Sequence, residues 1–181
     1  MLRTALYKSQ GMSYDGFLRQ TEDYDFFVRY IDELAILTIP YPLVKYRVIP
    51  KSIKRPILEE RSRVSTQIQK ELFRSWGLVA SDLELNIHTM LSFMDSSKID
   101  ISAKDVEKWL LRIIDHNIHY PKFQHNALVK GLAERWFEIC YNLVNMNGFN
   151  ANVYKSSVLS NFWKPGLWQL ARMNIREILR R

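Results

Sequence analysis

Three carboxylates crowd one short stretch of the chain. Glu22, Asp23 and Asp25 follow Thr21, and Tyr24, Phe27, Val28, Ile31 and Leu34 recur around them at helical spacing. The pattern predicts a helix of about three to four turns, N-capped by Thr21, with its acids at the positive end of the helix dipole. A helix mouth favours the ionised form of Asp23, while neighbouring carboxylates oppose it by like-charge repulsion. Elsewhere, His116-Asn117-Ile118-His119 sets two imidazoles at i and i+3 near Asp115 and His125, a spacing that can sketch a metal site. Four histidines in a helical chain produce such spacing readily by coincidence, and no metal ligand is assigned. Cys140 sits among apolar residues on a predicted helix and reads as a small buried hydrophobe rather than a nucleophile.

The elements that must hold these groups fall into two parts. After the carboxylate helix come Ala35 to Ile39, then Pro40-Tyr41-Pro42, then Leu43 to Ile49, β-favouring runs broken by prolines. They predict two short strands with a turn or edge between them, since proline cannot donate to a central ladder. Pro50 to Pro56, with Lys51, Lys54 and Arg55, reads as a basic linker and a boundary near residue 55. Beyond it the chain is helical. One helix runs from Leu58 to Trp76 and stops at Gly77; Ser81-Asp82-Leu83-Glu84 is a capping box, and Ser102 with Asp105 is a variant of it. Further helices follow from Pro121 to near Gly148, around Val153 to Phe162, and from about Gly166 to Leu179. That makes five or six helices, enough for an irregular bundle.

At 181 residues, 47% hydrophobic and 25% charged, the chain has the composition of a folded domain and not of a disordered or collagen-like one. Cys140 is the only cysteine, so no internal disulfide forms and a reducing cytoplasmic setting fits. No apolar run approaches the roughly 20 residues of a membrane span, and Met1 to Lys8 is too short and polar for a signal peptide. The net charge of +7 is uneven: residues 1–60 hold 9 basic and 8 acidic residues, residues 61–181 hold 17 and 11. Attraction to a polyanion or a membrane surface therefore belongs to the second part.

Four blocks of the first part carry a resemblance. Met1-Leu2-Arg3-Thr4-Ala5-Leu6, Gly11-Met12-Ser13-Tyr14-Asp15, Thr21 to Arg29 and Ile39 to Val48 resemble, in order and spacing, the last third of the catalytic domain of family 2 glycosyltransferases. The resemblance covers about residues 1–55. It implies an α+β chain, predominantly α: a short acceptor-side remnant of a GT-A sheet over residues 1–55, then a helical domain over residues 56–181. It also implies inverting transfer of a sugar from a nucleotide sugar to an acceptor hydroxyl, a glycan or lipid-linked saccharide, as in polysaccharide biosynthesis. Matched position by position, Asp23 becomes the general base, Glu22 and Asp25 its supporting neighbours, and Tyr46 and Arg47 line the edge of the site. Asp23-Tyr24-Asp25 has D-x-D spacing, but in the family the metal motif lies upstream beside the nucleotide. Mg or Mn is expected only in an intact enzyme, with no cofactor in this chain. Ile49 stands where many relatives carry histidine. No strand-loop-helix opening or upstream metal motif precedes these blocks, and Met1 matches an internal family position, so the 181 residues are expected to lack the nucleotide-binding half and to be inactive alone. The alternative is a non-enzymatic helical interaction module that keeps a glycosyltransferase remnant.

Residues 155–181 hold 6 basic residues and 1 acidic one, interleaved with aromatic rings. Trp163, Trp168, Arg172 and Arg176 are candidates for contact with an anionic membrane, with the protein peripheral at its inner face. Basic residues are otherwise scattered, without a helix-turn-helix, zinc-finger or RNA-binding signature, and nucleic acid is not an expected partner. An exposed apolar face on a truncated sheet would favour a homodimer.

Overall fold

The computed structural model describes residues 3–18, 21–45, 51–93, 101–144 and 148–179, with only the backbone over 51–55. Its helices are α1 (Thr4–Ser9), α2 (Glu22–Arg29), α3 (Lys51–Ser75), α4 (Asp82–Phe93), α5 (Ala103–His119), α6 (His125–Asn142), α7 (Ala151–Ser156) and α8 (Leu167–Leu179), with a 3-10 turn at Val158–Asn161. Among the described residues there is no strand, so the fold is helical and the expected α+β class with a sheet remnant is overturned. Two compact units divide at the end of α3, Met1–Ser75 and Trp76–Arg181.

In the first unit Met12, Phe26, Val64, Ile68 and Phe73 are buried, and aromatic rings cluster around Phe26. Phe26, 1% exposed, lies 4.5 Å from the Tyr14 ring, 4.9 Å from Tyr30 and 6.3 Å from Tyr7 on α1. Gly11, at φ +58°, turns the chain out of α1, and the Met12 amide donates to the Tyr7 carbonyl at 3.0 Å; a side chain there would be strained. α2 packs against α3, and the Tyr24 hydroxyl hydrogen-bonds Gln69 while burial pushes its pKa up.

Of the two expected strands, 35–39 and 43–49, residues 46–49 lie outside the described residues; over 35–45 the chain is irregular, and Ile36, Leu37, Ile39, Tyr41, Leu43 and Val44 stand 49–90% exposed. β-favouring side chains make a strand only when another strand takes up their backbone groups, and two short segments broken by Pro40 and Pro42 cannot stabilise each other. The basic stretch expected as a linker is instead the start of α3. Lys51 to Arg55 are already helical, and Pro56 lies inside the helix, where its ring nitrogen cannot donate to the Ser52 carbonyl.

The second unit has a conventional core. Gly77, at φ +78°, ends the chain's run out of α3, and the expected capping boxes form. The Ser81 amide donates to Glu84 Oε2 at 2.8 Å, the Glu84 amide to Ser81 Oγ at 3.3 Å, and the Asp105 amide to Ser102 Oγ at 3.2 Å. α5 and α6 make the broadest helix contact. Between them the buried Asn117 organises the turn: its Nδ2 donates to the Phe123 carbonyl at 3.0 Å and its Oδ1 accepts the amides of Lys122 and Phe123. Pro121 therefore belongs to this turn and not to the first turn of α6. Trp109, Trp136, Leu110 and Ile139 fill the interior at 1% exposure or less, each such side chain contributing about 1.5–3 kcal/mol by burial. Among the described residues no helix is long and apolar enough to cross a membrane.

Candidate functional site

α2 is shorter than its periodicity suggested, ending at Arg29, because Ile31 and Leu34 leave the helix with the chain. Its first turn still brings Glu22, Asp23 and Asp25 together, and their environments differ. Asp25 is buried. Its Oδ2 accepts from Arg29 Nε at 2.7 Å and lies 2.6 Å from Arg29 Nη2. Arg29 in turn donates to the Ser13 carbonyl at 2.9 Å and to the Tyr30 hydroxyl at 3.1 Å, and that hydroxyl accepts the Ser13 amide at 3.2 Å. Asp25 therefore fastens α2 to the loop that follows α1. An acid and an arginine four residues apart on one helix are the sequence signal for this role.

Glu22 and Asp23 are exposed. Asp23 Oδ1 accepts the Tyr24 amide at 2.7 Å, and among the described residues no cation pairs with Asp23. Thr21 occupies the cap position, but its side chain makes no cap bond. Its hydroxyl is buried and lacks a partner among the described residues. The D-x-D pair does not fit a divalent cation: Asp25 is already spent on Arg29, and side chains two apart on a helix diverge by about 200°.

Tyr46 and Arg47 lie outside the described residues. Among the described residues no three His, Cys, Asp or Glu side chains converge on a metal position. His116 Nε2 is 3.0 Å from the Trp76 carbonyl and His119 Nδ1 is 2.9 Å from the Asp115 carbonyl, so both rings are held by backbone oxygens. Cys140 is fully buried, and burial, reinforced by Glu107, pushes its thiol well above the ordinary range, which leaves it inert as a nucleophile.

The aromatic and basic candidates near the C-terminus separate. Trp163 packs against Phe137 at 5.2 Å, and its carbonyl accepts the Tyr154 hydroxyl at 3.0 Å. It lines an open groove of about 390 Å³ between α6 and α8 with Glu134, Glu138, Tyr141 and Arg172. Arg176 folds back so that its guanidinium sits 4.5 Å over the Tyr141 ring. Trp168 and Arg172 lie exposed on α8, the guanidinium 6.0 Å from the indole. Compared with protein families, curated proteins and solved structures, the chain matches none at a significant level.

Proposed function

We propose that the chain is part of an inverting family 2 glycosyltransferase and supplies the acceptor side of its site, with Asp23 as the general base. The observation that carries this reading is the split between two of the acids: Asp25 is consumed by Arg29, whereas Asp23 stays exposed at the mouth of α2 with one oxygen unpaired among the described residues. A base needs that accessibility. The acceptor hydroxyl gives its proton to the free oxygen of Asp23 as its own oxygen attacks the anomeric carbon, and the nucleoside diphosphate leaves from the opposite face. The Tyr24 amide holds the other carboxylate oxygen and fixes its direction. The exposed apolar segment 36–44 supports the same reading, because a further part of a catalytic domain would cover it.

The test is a chimera that joins the nucleotide-binding half of a family 2 enzyme to residue 1. Binding of the donor sugar nucleotide establishes that it has folded. We expect transfer to an acceptor saccharide, lowered at least about 100-fold by Asp23→Asn with donor affinity unchanged. A chimera that binds donor and transfers equally well with Asp23→Asn refutes the role of Asp23. One that binds donor and never transfers favours a helical interaction module.

A further inference from the structure

α8 is an amphipathic helix turned the wrong way round for a core element. Of its 13 residues only Met173 is buried. Leu167, Trp168, Ile175, Ile178 and Leu179 are 87%, 72%, 52%, 70% and 78% exposed. With Ala171 they fall within about 120° of one another on a helix of 3.6 residues per turn, a continuous apolar stripe presented to solvent. A contiguous exposed patch of this kind marks an interaction surface.

The charges around the stripe say what covers it. Arg172 borders one edge, about 40° from Trp168, whereas Arg176, about 80° away, is turned back onto Tyr141. The single acidic residue of the segment, Glu177, points the other way, and its Oε2 accepts the Ala151 amide at 3.1 Å at the start of α7. The outer side of α8 is thus apolar with a basic margin and no carboxylate. Two copies packed through this stripe would find no acid on the outer side of α8 to pair with Arg172, whose carboxylate neighbours Glu134 and Glu138 lie in the groove against α6, whereas an anionic lipid surface takes the apolar side chains into its acyl boundary and pairs its head groups with Arg172. An indole at the rim between the two suits Trp168, which has an apolar body and one polar N–H.

We infer that α8 is a reversible docking element for anionic membranes, lying in the interface with the Leu167 to Leu179 stripe downward and Arg172 at the head-group level. The inference goes beyond the glycosyltransferase reading and does not rest on it.

The 181-residue chain is sedimented with phosphatidylcholine vesicles containing about one-third phosphatidylserine, and with phosphatidylcholine alone. Expected are binding to the anionic vesicles, at least about tenfold weaker binding to the neutral ones, and a fall of about fivefold with Arg172→Gln. Replacing Trp168 and Ile175 together by serine should lower binding at least about tenfold. Because both side chains are exposed, the far-ultraviolet dichroism of that variant should match the parent chain. Absence of vesicle binding, equal binding to the two vesicle types, or binding unchanged in the serine variant overturns the inference. So does a concentration-dependent dimer in sedimentation velocity that the serine substitutions abolish while vesicle binding is nil, which would assign the stripe to a second copy.

Discussion

The two units bury apolar surface in different ways. In residues 76–181, side chains from α5, α6, α7 and α8 interlock, and Trp136, Leu110, Cys140, Leu159 and Met173 have no exposure at all. In residues 1–75 fewer apolar side chains are buried among the described residues, Met12, Phe26, Val64, Ile68 and Phe73, while the segment 36–44 leaves most of its apolar side chains in water. The second core draws on several helices; the first is smaller and lies in a unit that leaves β-favouring chain uncovered.

Substitutions at the two centres would break this contrast most forcefully. Trp136→Ala should cost about 3–5 kcal/mol in urea unfolding of the second unit and leave a cooperative, lower transition. Phe26→Ala should cost the first unit about 3 kcal/mol and abolish its cooperative melt. Equal, cooperative responses at both sites would erase the distinction.

Acid should separate the units next. His88 accepts from Trp109 Nε1 at 3.4 Å, and burial lowers its pKa from 6.5 to about 4. An unfolded chain protonates this ring near pH 6.5 and the folded one resists until about pH 4. The contribution of His88 is therefore complete above pH 6.5 and is lost as the pH falls toward 4, on the order of 2 kcal/mol since the ring keeps some access to solvent. The first unit contains no histidine, so its stability should hold over the same window until carboxylates titrate. Chemical denaturation at pH 7 and pH 4.5, repeated with His88→Gln, checks this; a loss that persists in the variant would assign it to other groups.

The smallest contrast lies within one helix turn. Asp25→Asn should destabilise the first unit by about 1–2 kcal/mol, since Arg29 loses its charged partner and the loop at Ser13 its anchor. Asp23→Asn should change stability by less than about 0.5 kcal/mol, as for other exposed sites. Thermal melts of the two variants side by side measure the difference, and equal destabilisation would remove the argument that Asp25 is spent on structure while Asp23 is accessible for chemistry.

The helices of the second unit were legible because period and caps agree: Ser81 with Glu84 and Ser102 with Asp105 mark starts, and apolar residues recur behind them. The strands were misjudged because residue preference at 35–39 and 43–45 speaks of a pleated surface, while a strand also needs a neighbour that these residues do not have. α1, six residues with none buried, has no apolar stripe to announce it. The prolines at 50 and 56 suggested a break, yet the backbone is helical from Lys51 and accommodates Pro56 within its second turn. At the candidate site, the grouping of Glu22, Asp23 and Asp25 could be read directly. The division of labour among them depended on Arg29, whose i+4 spacing from Asp25 was visible but whose reach to Ser13 was not. The periodicity of α8 likewise revealed an apolar stripe without revealing that it faces outward, because a helical wheel has no inside.

Pro40 and Pro42 have one more consequence, for the behaviour of the chain before its apolar segment finds cover. Dry intermolecular zippers need six or seven consecutive β-favouring residues free of proline. The run from Ala35 to Ile39 is one residue short of that length, and the two prolines keep it from joining Leu43 and Val44. They act as gatekeepers, letting an exposed, greasy stretch wait in water without templating its own fibrils.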